Sequence, residues 1–371
     1  MKSIVLKIYF YTLIVLSLLA CTNDSTPSFK NKEKTSAVVK VVEKKEDTIW
    51  ITAVGDVVPA SDYDRIALPP EDGKYLIIDD LLPHIQNSDL AFANFEGVLT
   101  GCECEARKCN DRRFCYRFRI PEVYANRVKD AGFDFLNIAC NHIEDFGKAG
   151  REYTNKRLRE IGFYTAGIEG SPCISFEKNG KKYGFCAFAQ FQGCAKIRDS
   201  LAMISEVKKM VSENDIVIVS LHGGAEGPAH RHIPKTDEIF LEFNRGNMYN
   251  SAHLCIDAGA DLVIGTGPHV TRAIELYKNK LIMYSLGNFC TYGPFGNHVY
   301  TRHAPLMKIG IDAQGNFLEG NAIPIKQIDK GMPRYDSTGL AIKHLKELTE
   351  SDFPATELKI QDDGKIIKFK K

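Results

Sequence analysis

The run from Leu254 to Cys290, LCIDAGADLVIGTGPHVTRAIELYKNKLIMYSLGNFC, constrains the fold more than any other part of the chain. It opens as a helix end, with Gly259 where a C-terminal cap belongs. Asp261 to Ile264 is a short apolar run of the buried-strand kind. Gly265, Gly267 and Pro268 then force a tight loop with His269 at its tip. Arg272 to Tyr277 and Lys280 to Leu286 follow as two more runs, and Lys278-Asn279 between them suits a hairpin turn. Gly287-Asn288 makes a second polar tip. Rigid strands that end in glycine-rich loops with polar side chains are how a layered α/β protein presents a site.

Four earlier strands end in the same manner. Trp50 to Val54 runs into Gly55-Asp56, and Asp89 to Phe95 carries Asn94 and Glu96 at its end. Phe133 to Ala139 leads to Cys140-Asn141-His142, with Glu144, Asp145 and Gly147 close behind. Asp215 to Leu221 ends in HGGAEG, which holds His222 and Glu226. Taken singly, each residue has a plainer reading. Asp56 can cap a turn, Glu96 can sit on the surface, Asn141-His142 can start a helix, and His222 can be structural. If the strands share one sheet, their ends line one rim, where sites form. Helices are expected over Pro121 to Ala131, Lys148 to Ile161, Ser200 to Ser212 and Asn247 to Ala258. Ile174 to Ala189 reads as a hairpin turning at Asn179-Gly180. Pro305 to Asp312 and Phe317 to Ile325 read as outer strands, followed by a helix over Gly339 to Leu348 and a last hairpin over Leu358 to Phe369.

The N-terminus speaks to compartment. Lys2 and Lys7 precede an apolar core from Ile8 to Ala20, too short for a comfortable membrane span. Leu18-Leu19-Ala20-Cys21 looks like a bacterial lipobox with Cys21 as the lipidated residue; the alternative is an uncleaved anchor. Thr22 after the cysteine favours an outer membrane if the cell has two. Residues 1–21 are thus expected to be a lipoprotein signal, and the polar, charged 22–48 a tether. Eleven cysteines suggest an oxidising compartment, a metal site, or both. Cys102, Cys104, Cys109 and Cys115 are not spaced as a standard zinc knuckle. Disulfides are favoured there, with Cys109 and Cys115 the first choice of pair, over a metal cluster or free thiols. A net charge of +1 gives no basic field for nucleic acid. No P-loop, G-x-S-x-G or H-E-x-x-H element occurs, which argues against ATP-driven ligation by this chain alone.

Five segments in order, AVGDVV (53–58), NFEGVLT (94–100), LNIACNHIEDFG (136–147), SLHGGAEG (220–227) and GTGPHVTRAIELYKNKLIMYSLGNF (265–289), resemble the CapA family of capsule and poly-γ-glutamate synthesis proteins. The resemblance covers residues 49–326 and leaves 327–371 as a C-terminal helix and hairpin extension. It implies an α/β sandwich of four layers similar to the calcineurin-like metallophosphatases, with central sheets flanked by helices. It also implies a divalent ion, Mn, Fe or Zn by its oxygen and imidazole donors, held by Asp56, Glu96, Asn141, His222 and His269. His142, Glu96 and His222 become the expected catalytic groups. Asn94, Glu226, Arg272 and Asn288 become the expected substrate contacts. The chain departs from the two-metal pattern, because Val58 and Thr266 stand where that pattern has histidines. Two functions fit. One is a lipid-anchored hydrolase or acyl transferase acting on an anionic capsule polymer such as poly-γ-glutamate. The other is a non-catalytic component that holds or exports that polymer beside other capsule-synthesis membrane proteins.

Overall fold

Alternate side chains of the strand Ile216–His222 enter two different cores, as the two-residue repeat of a strand requires. Ile216 and Ile218 point to one side, and Val217, Val219 and Leu221 point to the other. The neighbouring strand Leu262–Thr266 divides likewise, Leu262 and Ile264 against Val263. A strand buried on both faces needs a layer above and a layer below.

The computed structural model describes residues 48–78, 80–101, 103–109, 115–293 and 298–369. The signal segment, Cys21, most of the tether and Cys102 lie outside the described residues. Among the described residues no helix is long and apolar enough to cross a membrane. Lys45–Lys371 forms one compact unit.

Two sheets carry the fold. In the six-stranded sheet, Leu262–Thr266 lies parallel between Ile216–His222 and Lys280–Met283. The expected hairpins form its edges. Ile274–Tyr277 pairs with Lys280–Met283 across Lys278-Asn279, both at positive φ as the turn demands, and Cys173–Lys178 pairs with Lys181–Ala189. In the ten-stranded sheet, Ile49–Val58 lies between His303–Ile311 and Leu90–Phe95, which in turn pairs with Phe135–Asn137. The C-terminal strands Met332–Tyr335 and Lys365–Lys368 both pair with Phe317–Ile328 and extend this sheet.

The sheets pack face to face. Phe185 of the smaller sheet lies 6.0 Å from Phe92 and 4.9 Å from Phe135 of the larger one, ring to ring. Helices Ser200–Glu213 and Met248–Asp257 bury Met203, Val207 and Cys255 on the outer face of the smaller sheet. Helices Glu122–Asp130 and Gly147–Ile161 bury Val128 and Leu158 in the core of the larger one. The result is the four-layer arrangement that the metallophosphatase resemblance implied. One expectation is corrected. The strand ends do not share a sheet: those near 54, 95 and 138 belong to the larger sheet, and those near 221 and 264 to the smaller. The rim is built where two sheets meet, because helices on both outer faces force the apolar inner faces together.

Cys109 and Cys115 are joined by a disulfide, and Cys104 is also disulfide-bonded. A further bridge, Cys173–Cys186, links directly opposed residues of the edge hairpin. The two-residue turn at Asn179-Gly180 sets the register that opposes them.

Candidate metal centre and its cavity

Asp56 is aimed by a defect in its strand. The ladder slips between Ala53 and Asp56 on one side and between Asp56 and Val57 on the other. Gly55 makes this possible. A Cβ there would fall 1.8 Å from the Gly287 carbonyl oxygen, which accepts a hydrogen bond from the Asp56 amide at 2.9 Å. Two glycine-bearing tips, distant in sequence, therefore meet back to back.

Three ligand-type atoms converge from both sheets. Asp56, Glu96 and His269 offer donors within 4.8 Å of one another. His269 Nδ1 lies 3.0 Å from Asp56 Oδ2, and its Nε2 lies 3.9 Å from Glu96 Oε1. His269 sits at φ 59°, the left-handed region, at the tip of its loop. Glu96 is fully buried, and neither of its carboxylate oxygens has a hydrogen-bond partner among the described residues. Burial, with Asp56 adding to it, pushes the Glu96 pKa up to about 7 against the opposing pull of His269. Burial alone would lower the His269 pKa, but Glu96 and Asp56 hold it well above the ordinary value. A buried carboxylate with idle oxygens beside another carboxylate and an imidazole fits a divalent cation by donor chemistry.

His142 stands next to this trio, its Nε2 4.0 Å from Glu96 Oε1. Its Nδ1 lies 2.7 Å from Asp145 Oδ2. Asp145 is itself buried and accepts from Arg107 Nε at 2.7 Å and from the Phe118 amide at 2.8 Å. Burial would lower the His142 pKa, yet Asp145 keeps it raised. His222 and Asn141 form a separate pair, with His222 Nε2 3.2 Å from the Asn141 amide oxygen and Nδ1 3.1 Å from the Thr266 hydroxyl. Burial, then the cationic neighbours His269 and Arg245, lowers the His222 pKa well below its usual value. That shift favours the neutral ring, in which the Thr266 hydroxyl fits as the donor to Nδ1.

A cavity of about 720 Å³ opens over these groups, lined by Asn141, His142, Glu226, Arg245 and His269 among others. Of the four expected substrate contacts, only Glu226 faces it. Asn94 is buried and donates to Asp56 Oδ1 at 2.8 Å. Asn288, also buried, holds His269 Nδ1 through its amide oxygen at 3.0 Å. Arg272 is wholly buried, with Nη1 and Nη2 on Glu238 at 2.9 and 2.7 Å and further bonds to the carbonyls of His230 and Ala225. These three position other groups because their donors are already committed inside the protein. Arg107 and Arg245 went unread in the sequence. A charged residue inside a cysteine loop and one after a turn gave no periodic signal.

Residues 50–292 match the family described as bacterial capsule synthesis protein PGA_cap. The chain belongs to this family. Every residue of the acidic and histidine cluster falls inside the matched span. Among family relatives, the chain is 28% identical over 276 residues to the capsule biosynthesis protein CapA of Bacillus anthracis, covering 69% of this chain and 63% of that one. It is 28% identical over 269 residues to the PGA biosynthesis protein CapA of Bacillus subtilis (strain 168), covering 67% and 65%. The chain thus spans a little under two thirds of both relatives. A solved structure of a hypothetical protein from Thermus thermophilus is similar with a TM-score of 0.43 and 16% identity, over 75% of this chain and 99% of that one. That likeness is too slight to inform the site.

Proposed function

We propose that this chain acts in the synthesis or export of an anionic capsule polymer of the poly-γ-glutamate type, as a metal-assisted hydrolase or acyl transferase. The observation that carries the enzyme reading is the convergence of Asp56, Glu96 and His269, with both Glu96 oxygens buried and idle. Those three residues would hold one Mn, Fe or Zn ion, and Asn141 and His222 stand next in line. When bound, such an ion supplies Lewis-acid polarisation of a carbonyl or phosphoryl oxygen. The chain's own residues do the rest. His142, whose hold on a proton the Asp145 carboxylate strengthens, would give that proton to a leaving group, as general acids do. Asn94 and Asn288 hold Asp56 and His269 in place. The proposed setting is the cell envelope, with Cys21 carrying lipid and other capsule-synthesis membrane proteins as partners. The disulfides Cys109–Cys115 and Cys173–Cys186 support an exported, oxidising location.

A second reading, a non-catalytic polymer holder, is favoured by Val58 and Thr266. Val58 is buried in its strand, and the Thr266 hydroxyl is engaged by His222. The deciding experiment is elemental analysis of the purified chain and of Asp56→Ala, with phosphoester, amide and polymer substrates tested in parallel. Near-stoichiometric metal that disappears in Asp56→Ala, together with metal-dependent turnover, supports the enzyme. A folded wild type that takes up no Mn, Fe or Zn on reconstitution rejects the metal reading and leaves the holder.

A further inference from the structure

The cavity has an outer wall that the metal centre does not use. A short hairpin, Ile239–Phe240 paired with Phe243–Asn244, turns at Leu241 and Glu242. Both turn residues sit at positive φ, 48° and 65°, where glycine or asparagine is usual. Leu241 is 72% exposed, Ile239 58% and Phe243 43%. Phe240, Leu241 and Phe243 all line the cavity. An apolar tip held in a costly turn beside a polar site is a feature that folding alone does not call for.

Arg245 lies directly behind this hairpin. Its guanidinium is 4.8 Å from the Phe191 ring, 5.2 Å from Phe240 and 5.9 Å from Phe243. Phe191 stacks on Phe243 at 5.5 Å and meets the His222 ring at 5.9 Å. The arginine side chain is only 9% exposed, and its Nη1 lies 2.7 Å from Glu226. Its Nε is buried with no hydrogen-bond partner among the described residues. The cation is therefore already stripped of water and is held by one carboxylate, whose side chain is 21% exposed. Arg107, 40% exposed along its side chain, adds a second guanidinium to the lining.

We infer that this wall is a subsite for a chain-like polycarboxylate whose carboxylates are separated by methylene groups. A ligand carboxylate takes the place of Glu226 at Arg245, and the methylenes lie against Phe240, Leu241 and Phe243. The exchange swaps one carboxylate for another on a guanidinium that is already desolvated, so the usual cost of drying the arginine is not incurred again. The hairpin supplies the apolar contact that separates such a chain from a polyphosphate of equal charge. This inference rests on the proposed polymer context and names the surface that would recognise it. It does not depend on a metal.

The test is binding of a fluorescent, short γ-linked oligoglutamate to the full chain in detergent with a chelator present, followed by anisotropy. The wild type binds it more tightly than it binds a polyphosphate of similar length. Arg245→Gln weakens binding by about tenfold or more, as loss of a charge-assisted pair requires. Leu241→Ser, at an exposed tip that leaves the core intact, weakens it by about threefold. Glu226→Gln, which frees the arginine from its internal partner, tightens binding instead. A role in folding alone would not produce that opposite sign, and the melting temperature of each variant checks the fold. Failure of the wild type to bind overturns the polymer reading and this subsite with it; a wild type that binds while Leu241→Ser binds equally, or while Glu226→Gln binds more weakly, overturns the subsite alone. Because the chelator removes any ion, these outcomes stand apart from success or failure of the metal reading.

Discussion

His269 Nδ1 stands 3.0 Å from Asp56 Oδ2, although 213 residues separate the two in the chain. The same nitrogen lies 3.0 Å from the Asn288 amide oxygen. A ring nitrogen held between two oxygen acceptors carries its proton, which leaves Nε2 turned toward Glu96. The contact joins the two sheets at the floor of the cavity.

Metal stoichiometry follows from that geometry. Reconstitution with Mn, Fe or Zn should saturate at about one ion per chain, because among the described residues only Asp56, Glu96 and His269 converge as a set of three ligands. His269→Ala should lose most of the bound metal. Elemental analysis after gel filtration reads both, and saturation at about two ions in the wild type would contradict the reading.

Glu96 gives a pH signature in the metal-free protein. Its folded pKa is raised from 4.5 to about 7, so the folded state holds the proton more tightly than the unfolded state. Its contribution is complete below pH 4.5 and is lost as pH rises through about 7. The loss is on the order of 3 kcal/mol. Urea denaturation across this window, with a chelator present, should show a downward slope, to which the raised His142 and His269 also contribute, and Glu96→Gln should make it shallower. Identical slopes in the two proteins would refute it.

Asp145 should govern the proton on His142. Asp145→Asn keeps the shape but removes the charge, so the His142 pKa should fall, as an NMR titration would show. Asp145→Ala should cost about 1–3 kcal/mol in denaturant, because the buried Phe118 amide loses its acceptor. An unmoved His142 titration in Asp145→Asn would mean that the contact does not set its charge.

Arg272 should behave as a structural residue. Arg272→Ala leaves the Glu238 carboxylate buried without its counter-charge and should cost about 3–5 kcal/mol. Removing both, with Arg272→Met and Glu238→Leu together, should recover much of that loss. Chemical denaturation of the three variants gives the cycle. A stable Arg272→Ala with weakened polymer binding would return the residue to the substrate contacts.

Much of the fold was legible because it rests on local patterns. The hairpin at Lys278-Asn279 could be read from two apolar runs and a two-residue gap, and both turn residues do adopt positive φ. The helix expected over Lys148 to Ile161 is observed as Gly147–Ile161. The strand expected over Trp50 to Val54 proved longer, Ile49–Val58, because its far half pairs with Asn288–Thr291, a partner that no local window contains. Asp56, Glu96 and His269 were legible as polar residues at strand ends. Asn94, Asn288 and Arg272 are buried outside the cavity lining, because a polar side chain at a strand end can face either way, and only packing chooses.

Residue type and short-range spacing were enough to specify the strands, the turns, the polar tips and the family. They were not enough to show that the tips come from two sheets rather than one. Nor could they show that Gly55 and Gly287 touch, or that Arg245 lies caged among three phenylalanines. Those outcomes depend on which apolar faces bury each other, and that is settled by contacts between residues far apart in the chain.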